Sequence, residues 1–372
     1  MIYLDYAANT PVDPKVLKTY NDATMTYIAN PNSSHPLGKI AKLRIDEASE
    51  FIGKCFNCSK ESIIYTSGSS ESNNLVIKGI CDRNKDKGNH IIISAVEHSS
   101  IIAPVNYLVS NGFEVTIIPL NTDGTVNIKK LKKSITDKTI LVSICAVDGE
   151  LGTIQPIEEI ARIVKKHKNC VFHTDATQAV GKINIDYSDV DFITFAPHKF
   201  FGLNGMGVLI NRNDIKMTPI IHGGKSTTVY RSGTPVIANV LATEKALRIA
   251  TSKLNSRYKY IKKLNNLLRK ELDKLDYVNI NSPENSIPNT LNISLINKNS
   301  KDVIEKLNKK EIYVSTTTAC SLENAPSKSV LAITNDESLA KNTLRISISH
   351  LTTKEDIYEF LKVFKRATKK QG

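Results

Sequence analysis

From about residue 62 to residue 211 the chain alternates between two hydrophobic rhythms. Short β-branched runs at 62–65, 90–94, 115–118, 139–143, 171–173, 191–194 and 207–210 read as strands buried on both faces, because apolar residues fill consecutive positions. Between most of them lie amphipathic stretches such as 157–166, with apolar residues at the spacing of one helix face. This alternation predicts an α/β fold with a mainly parallel, helix-covered sheet. After Pro235 the rhythm changes to a helical run ending near Leu275, strands at 289–294 and 344–348, a helix at 302–309 and a closing amphipathic helix from Lys354. The expected organisation is a large domain over 15–250 and a smaller α+β domain over 251–372, with residues 1–14 packing back onto the latter.

Composition keeps the picture to a globular protein. At 372 residues, 41% hydrophobic and 23% charged, the chain can bury a large core, and no apolar run approaches the length of a membrane span. The start, Met1-Ile2-Tyr3-Leu4-Asp5-Tyr6, has neither the basic nor the apolar part of a signal peptide. Six scattered cysteines fit a reducing compartment, so the expected location is the cytoplasm. A single CxxC, Cys55 to Cys58, has no second pair and points to neither zinc nor redox chemistry; no metal is expected. The formal charge of +13 is spread over helix faces without an aromatic-interleaved basic patch, so nucleic acid is not indicated, although the charge suits an acidic protein partner.

The candidate chemistry sits just past strand ends. Lys199 follows the run 191–194, and Asp175 ends the run that includes His173. A lysine and an acid so placed can hold the two ends of a pyridoxal phosphate ring, the amine at the aldehyde and the carboxylate at the pyridinium nitrogen. Thr66-Ser67-Gly68-Ser69-Ser70-Glu71 is a strand, a small-residue turn and a helix start, which aims N–H groups at an anion, although such turns also serve as plain helix caps. His98 lies past another strand, at the edge where open α/β sheets bind ligands, and is a catalytic candidate to stack on the ring face and move protons. Arg231 and Arg345 carry guanidinium forks suited to phosphate or carboxylate, and spacing alone does not choose between them. Cys320, in a polar stretch after a short β run, is the cysteine best placed to react, and the other five read as packing or surface residues.

Taken in order, these segments resemble the NifS/IscS family of cysteine desulfurases, within the fold-type-I pyridoxal-phosphate enzymes. The resemblance runs from Tyr3-Leu4-Asp5-Tyr6-Ala7-Ala8-Asn9-Thr10-Pro11 through Asn30-Pro31-Asn32-Ser33-Ser34-His35, the serine turn, Glu97-His98 and His173-Thr174-Asp175-Ala176-Thr177-Gln178. It continues through His198-Lys199, His222-Gly223-Gly224 and Arg231-Ser232-Gly233-Thr234 to Ala319-Cys320. It implies that Lys199 forms the Schiff base with pyridoxal 5′-phosphate, Asp175 pairs with the ring nitrogen, Gln178 bonds the ring hydroxyl and His98 stacks on the ring. Ser69, Ser70 and His198 would bind the phosphate, with Thr234 reaching in from the second subunit of a homodimer, and Arg345 would hold the substrate carboxylate. The implied reaction takes sulfur from L-cysteine, leaving L-alanine and a Cys320 persulfide for a sulfur-acceptor protein in iron–sulfur or thiolation pathways. Another pyridoxal-phosphate lyase or aminotransferase, such as a selenocysteine or cystine lyase, and a non-catalytic homologue remain the alternatives.

The chain departs from the family pattern near the site. Asp148-Gly149-Glu150-Leu151-Gly152 stands where the family reads Asn-Asn-Glu-Ile-Gly, Ala196 replaces a phosphate-binding serine, Lys225 interrupts a glycine run, and Thr317 replaces a glycine before Cys320.

Overall fold

The computed structural model describes residues 1–316 and 325–369. A seven-stranded sheet dominates it, in the order Ile63–Thr66, Gly207–Asn211, Phe192–Phe195, Val171–Asp175, Thr139–Ser143, His90–Ser94 and Glu114–Ile118. All neighbours are parallel except Gly207–Asn211, which runs antiparallel to the strands on both sides. Alternate side chains feed two apolar layers. Ile92, Val142, Phe172, Ile193 and Val208 pack with one set of helices, and Ile91, Ile93, Leu141, Phe192 and Leu209 pack with the other. This two-sided burial is why the runs read as continuously hydrophobic.

One strand differs from that reading. Glu114–Ile118 lies at the open edge of the sheet, and Ile117 is 58% exposed. Its apolar run matches those of the inner strands, and only sheet order reveals that it has a single neighbour.

The helical run after Pro235 divides into Ile237–Ser252 and Leu254–Leu272, with Lys253 at φ −110° between them. The division follows from two cores. The first helix buries Val240, Leu241 and Leu247 against the large sheet; the second buries Ile261, Leu264 and Leu268 against a three-stranded antiparallel sheet of Thr343–Ser347, Thr290–Leu295 and Val278–Ile280. Lys354–Ala367 closes this second layer, its start fixed by a capping box in which Thr353 and Asp356 bond each other's backbone N–H. Ile2–Tyr3 pairs in parallel with Ile312–Tyr313, and Leu4 joins the same apolar cluster.

Topology brings the candidate chemistry together. Ile63–Thr66 and Phe192–Phe195 are both antiparallel to Gly207–Asn211 and so run the same way. The C-terminal ends of Ile63–Thr66, His90–Ser94, Thr139–Ser143, Val171–Asp175 and Phe192–Phe195 therefore share one edge, where ligands bind in open α/β sheets.

Candidate active site

A cavity of about 490 Å³ opens at that edge, lined by Ser69, Ser70, His98, Asp175, Gln178, His198, Lys199 and Arg345. Its size suits a cofactor and a small substrate together. Lys199 ends a single 3-10 turn, Pro197–Lys199, directly after the strand Phe192–Phe195. Its Nζ donates to the carbonyls of Ala7, at 3.0 Å, and Ala8, at 2.5 Å. Gln178 Nε2 donates to the same Ala7 carbonyl at 3.0 Å. The N-terminal segment thus fixes the lysine, a role that the run Tyr6-Ala7-Ala8 does not advertise.

Asp175 is 7% exposed, and both of its carboxylate oxygens are engaged: Oδ1 accepts from Thr177 N at 2.9 Å and Oδ2 from Asn73 Nδ2 at 2.8 Å. Asn73 Nδ2 also donates to Ser100 Oγ at 2.9 Å, and Ser100 Oγ lies 2.8 Å from His98 Nδ1. His98 caps the helix Ser99–Val109. Burial lowers its pKa; Asp175 pulls the other way, and Lys199 adds to the lowering. The imidazole is therefore neutral near pH 7.

At the other end of the cavity, Ser69 and Ser70 open the helix Ser69–Asn84, whose first N–H groups have no intrahelical acceptor and favour an anion. His198 also lines the cavity, its pKa pushed down to about 4 by burial, then by Lys199 and Lys182. Ala196 is fully buried and is not part of the wall.

The two arginines separate clearly. Arg345 is 2% exposed, with Nη2 on Asp5 Oδ1 at 2.9 Å and Nη1 on the Gly149 carbonyl at 3.0 Å, and it lines the cavity. Arg231 instead pairs with Glu71 at 2.9 Å, outside the cavity wall, so its suitability for a ligand is met by that carboxylate. Thr234 is exposed and does not line the cavity of its own chain, and Lys225 is also exposed. Cys320 and Thr317 lie outside the described residues.

Several residues on the cavity wall, or bonded to it, were given no role by the sequence reading. Cys145 lines the cavity, but burial and the nearby carboxylates of Glu97, Asp148 and Asp175 push its thiol far up, so it stays protonated and packs. Asp148 accepts from Leu151 N at 2.6 Å and Ser329 Oγ at 3.0 Å, and Glu150 bonds Ser327, so the departed turn grips the start of the helix Lys328–Thr334. Burial raises Asp148 to about 6. Lys182 donates to Gln178 Oε1 at 2.6 Å, and desolvation beside Lys199 and Arg345 lowers it to about 7. Asp148 and Glu150 were visible in the sequence only as members of the departed turn, and Cys145 and Lys182 carry no motif.

Glu97 gives a measurable consequence. It is 5% exposed, Oε1 accepts from Ser94 Oγ and Cys145 N, and Oε2 is buried with no partner among the described residues. Burial raises its pKa from 4.5 to about 8. Below 4.5 the carboxyl is protonated folded or unfolded and contributes nothing to pH dependence. Between the two values the unfolded chain releases a proton that the fold retains, so stability falls as pH rises, by a total on the order of 5 kcal/mol. Glu97→Gln keeps the acceptor on Oε1 and removes this penalty. Thermal unfolding of the cofactor-free protein should show the variant gaining over wild type at about pH 9 and not at about pH 4. An equal gain at both would remove the buried-acid explanation.

The architecture is that of the fold-type-I pyridoxal-phosphate-dependent transferases, α/β enzymes with a large mostly parallel sheet. Within that class the chain belongs to the aminotransferase class-V family, whose model matches residues 2–360. It is 36% identical over 374 residues to the cysteine desulfurase IscS of Dictyoglomus turgidum, covering 99% of this chain and 95% of the relative. It is also 36% identical to the mitosomal cysteine desulfurase of Encephalitozoon cuniculi, covering 96% of this chain and 84% of the relative. Among solved structures, a NifS-like protein superposes with a TM-score of 0.92 at 33% identity over 98% of each chain. SspA in complex with cysteine superposes with a TM-score of 0.83 at 30% identity, over 95% of this chain and all of the other.

Proposed function

We propose that this protein is a cysteine desulfurase that binds pyridoxal 5′-phosphate, takes sulfur from L-cysteine and leaves L-alanine. The carrying observation is that Lys199, Asp175 and Arg345, from distant parts of the chain, line one cavity together. The names of the relatives and the cysteine held by SspA support the same substrate.

The residues present fit the cofactor. His198 Nδ1 and Arg345 Nε are buried without a hydrogen-bond partner among the described residues, as groups prepared for phosphate and carboxylate would be. Ser69, Ser70 and the helix N-terminus suit the phosphate, Asp175 the ring nitrogen, Gln178 the ring hydroxyl and His98 the ring face. When bound, the cofactor supplies an electron sink for the substrate's α-carbon. Lys199 would hold the cofactor through Nζ, and as a free amine the same Nζ would take the α-proton of the substrate. Arg345, braced by Asp5, orients the substrate carboxylate. The Cys320 thiolate attacks the substrate sulfur: the sulfur–sulfur bond forms as the carbon–sulfur bond breaks, whose electron pair stays with the carbon and is protonated on the way to alanine.

The active form in this reading is a homodimer, with Thr234 completing the phosphate site of the other copy; its exposure outside its own cavity supports this. The persulfide passes to a sulfur-acceptor protein of iron–sulfur or thiolation chemistry, and the scattered cysteines support a cytoplasmic setting. Among the described residues no helix is long and apolar enough to cross a membrane. Separate apolar clusters support a division into a large domain over 15–250 and a small one over 1–14 and 251–372.

Protein loaded with pyridoxal phosphate should convert L-cysteine to alanine and, with a thiol reductant, release sulfide in equal amount. Protein that takes up the cofactor but yields no alanine from L-cysteine would sink the desulfurase reading. Protein that stays colourless with added cofactor would sink the cofactor site as well.

A further inference from the structure

The hydrogen-bond chain from Asp175 through Asn73 and Ser100 to His98 has one consistent arrangement of protons. The Asp175 carboxylate only accepts, so the Asn73 amide must turn its NH2 toward it, at 2.8 Å. The second hydrogen of that NH2 donates to Ser100 Oγ at 2.9 Å. Ser100 then directs its single O–H to His98 Nδ1 at 2.8 Å, and its backbone N–H donates to the same Nδ1 at 3.2 Å. The opposite tautomer would set an Nδ1–H against the backbone N–H, which cannot rotate away. Nδ1 therefore keeps its lone pair, and the neutral ring carries its hydrogen on Nε2.

We propose that Asn73 is a positioning residue which, through the Ser100 hydroxyl, ties His98 to Asp175 and holds its ring in the Nε2–H tautomer that the Ser100 backbone N–H selects, so that His98 offers the cavity a hydrogen-bond donor and not a base. Asn73 is fully buried, and its Oδ1 has no partner among the described residues. A merely structural position would avoid that desolvation with an apolar side chain. The two charges that act on His98 are Asp175, which favours its protonation, and Lys199, which opposes it. The α-proton is thereby left to Lys199. The consequence for turnover rests on the cofactor reading above; the tautomer does not.

Nitrogen-15 spectra of histidine-labelled full-length protein, with and without pyridoxal phosphate, should show His98 bare at Nδ1 and protonated at Nε2. Asn73→Ala frees the Ser100 hydroxyl while the Ser100 backbone N–H still faces Nδ1, so His98 should keep its tautomer and its Nδ1 signal should shift as the shorter of its two hydrogen bonds loosens. The variant's kcat should fall about tenfold to a hundredfold with KM for L-cysteine little changed. Ser100→Ala, which keeps Asn73 in the fold, should show the same kcat loss; Ser100→Thr should restore it, and the Asn73→Ala/Ser100→Ala pair should lose no more than either alone. An Nδ1–H signal in wild type overturns the proposal. So do unchanged His98 signals and kcat in Ser100→Ala, the deciding variant if Asn73→Ala does not fold. Protein that takes up no cofactor yet gives the expected spectra would defeat the cofactor reading alone.

Discussion

Lys199→Ala should lower alanine formation from L-cysteine by roughly 10⁴-fold or more, because it removes both the covalent attachment point and the base. Among the described residues the cavity offers no replacement. Lys182 is drawn to Gln178 Oε1, and Lys328 lies on an exposed part of the wall. Cofactor binding should persist without the lysine, because the proposed contacts of Asp175 with the ring and of His198 and the helix start at Ser69 with the phosphate do not depend on it. Absorbance should therefore report free aldehyde in place of Schiff base, and borohydride should no longer fix the cofactor to the chain. Alanine formation at anything near the wild-type rate would remove Lys199 from the mechanism. The loss should not be one of folding, because the N-terminal segment stays tied without the lysine: Thr10 Oγ1 donates to the His198 carbonyl at 2.8 Å and Gln178 Nε2 to the Ala7 carbonyl at 3.0 Å.

Cys320→Ser should abolish sulfide release to within about a thousandth of wild type, yet leave the cofactor's absorbance and its response to L-cysteine in place. A serine hydroxyl is protonated at neutral pH and is a poor nucleophile toward sulfur, whereas a thiolate is a strong one. Cys320 lies outside the described residues, but both flanks of its segment meet the site. Ser315 exchanges backbone hydrogen bonds with Arg345, at 2.7 and 3.2 Å, and Ala325 and Pro326 line the cavity. Undiminished turnover in the variant would favour a pyridoxal-phosphate lyase in which the thiol is a bystander.

Much of the site was legible because its chemistry sits on local signals. Asp175 ends a strand and Lys199, His98 and the serine turn each follow one, and a strand end is visible in sequence as the close of a β-branched run. What binds those ends to one another was not legible. Asn73 reads as one polar residue inside the helix Ser69–Asn84, and nothing in its spacing announces Asp175 and Ser100 as partners. Glu97 was read only as the neighbour of His98, though its missing partner sets a pH dependence of its own. The choice between Arg231 and Arg345 likewise rests on Glu71 and Asp5, each far away in sequence from the arginine it pairs with.

The sequence by itself determined the seven strands of the large sheet, the change of architecture after Pro235, and the kinds of groups presented at strand ends. These follow from local periodicity and from chemistry carried by single residues. Tertiary structure alone decided the strand order that leaves Ile117 at an edge, the division of one helical run between two cores, and the meeting of Arg345 with Lys199. Those outcomes depend on contacts between residues far apart in the chain, and burial, charge pairing and proton position exist only once such contacts form.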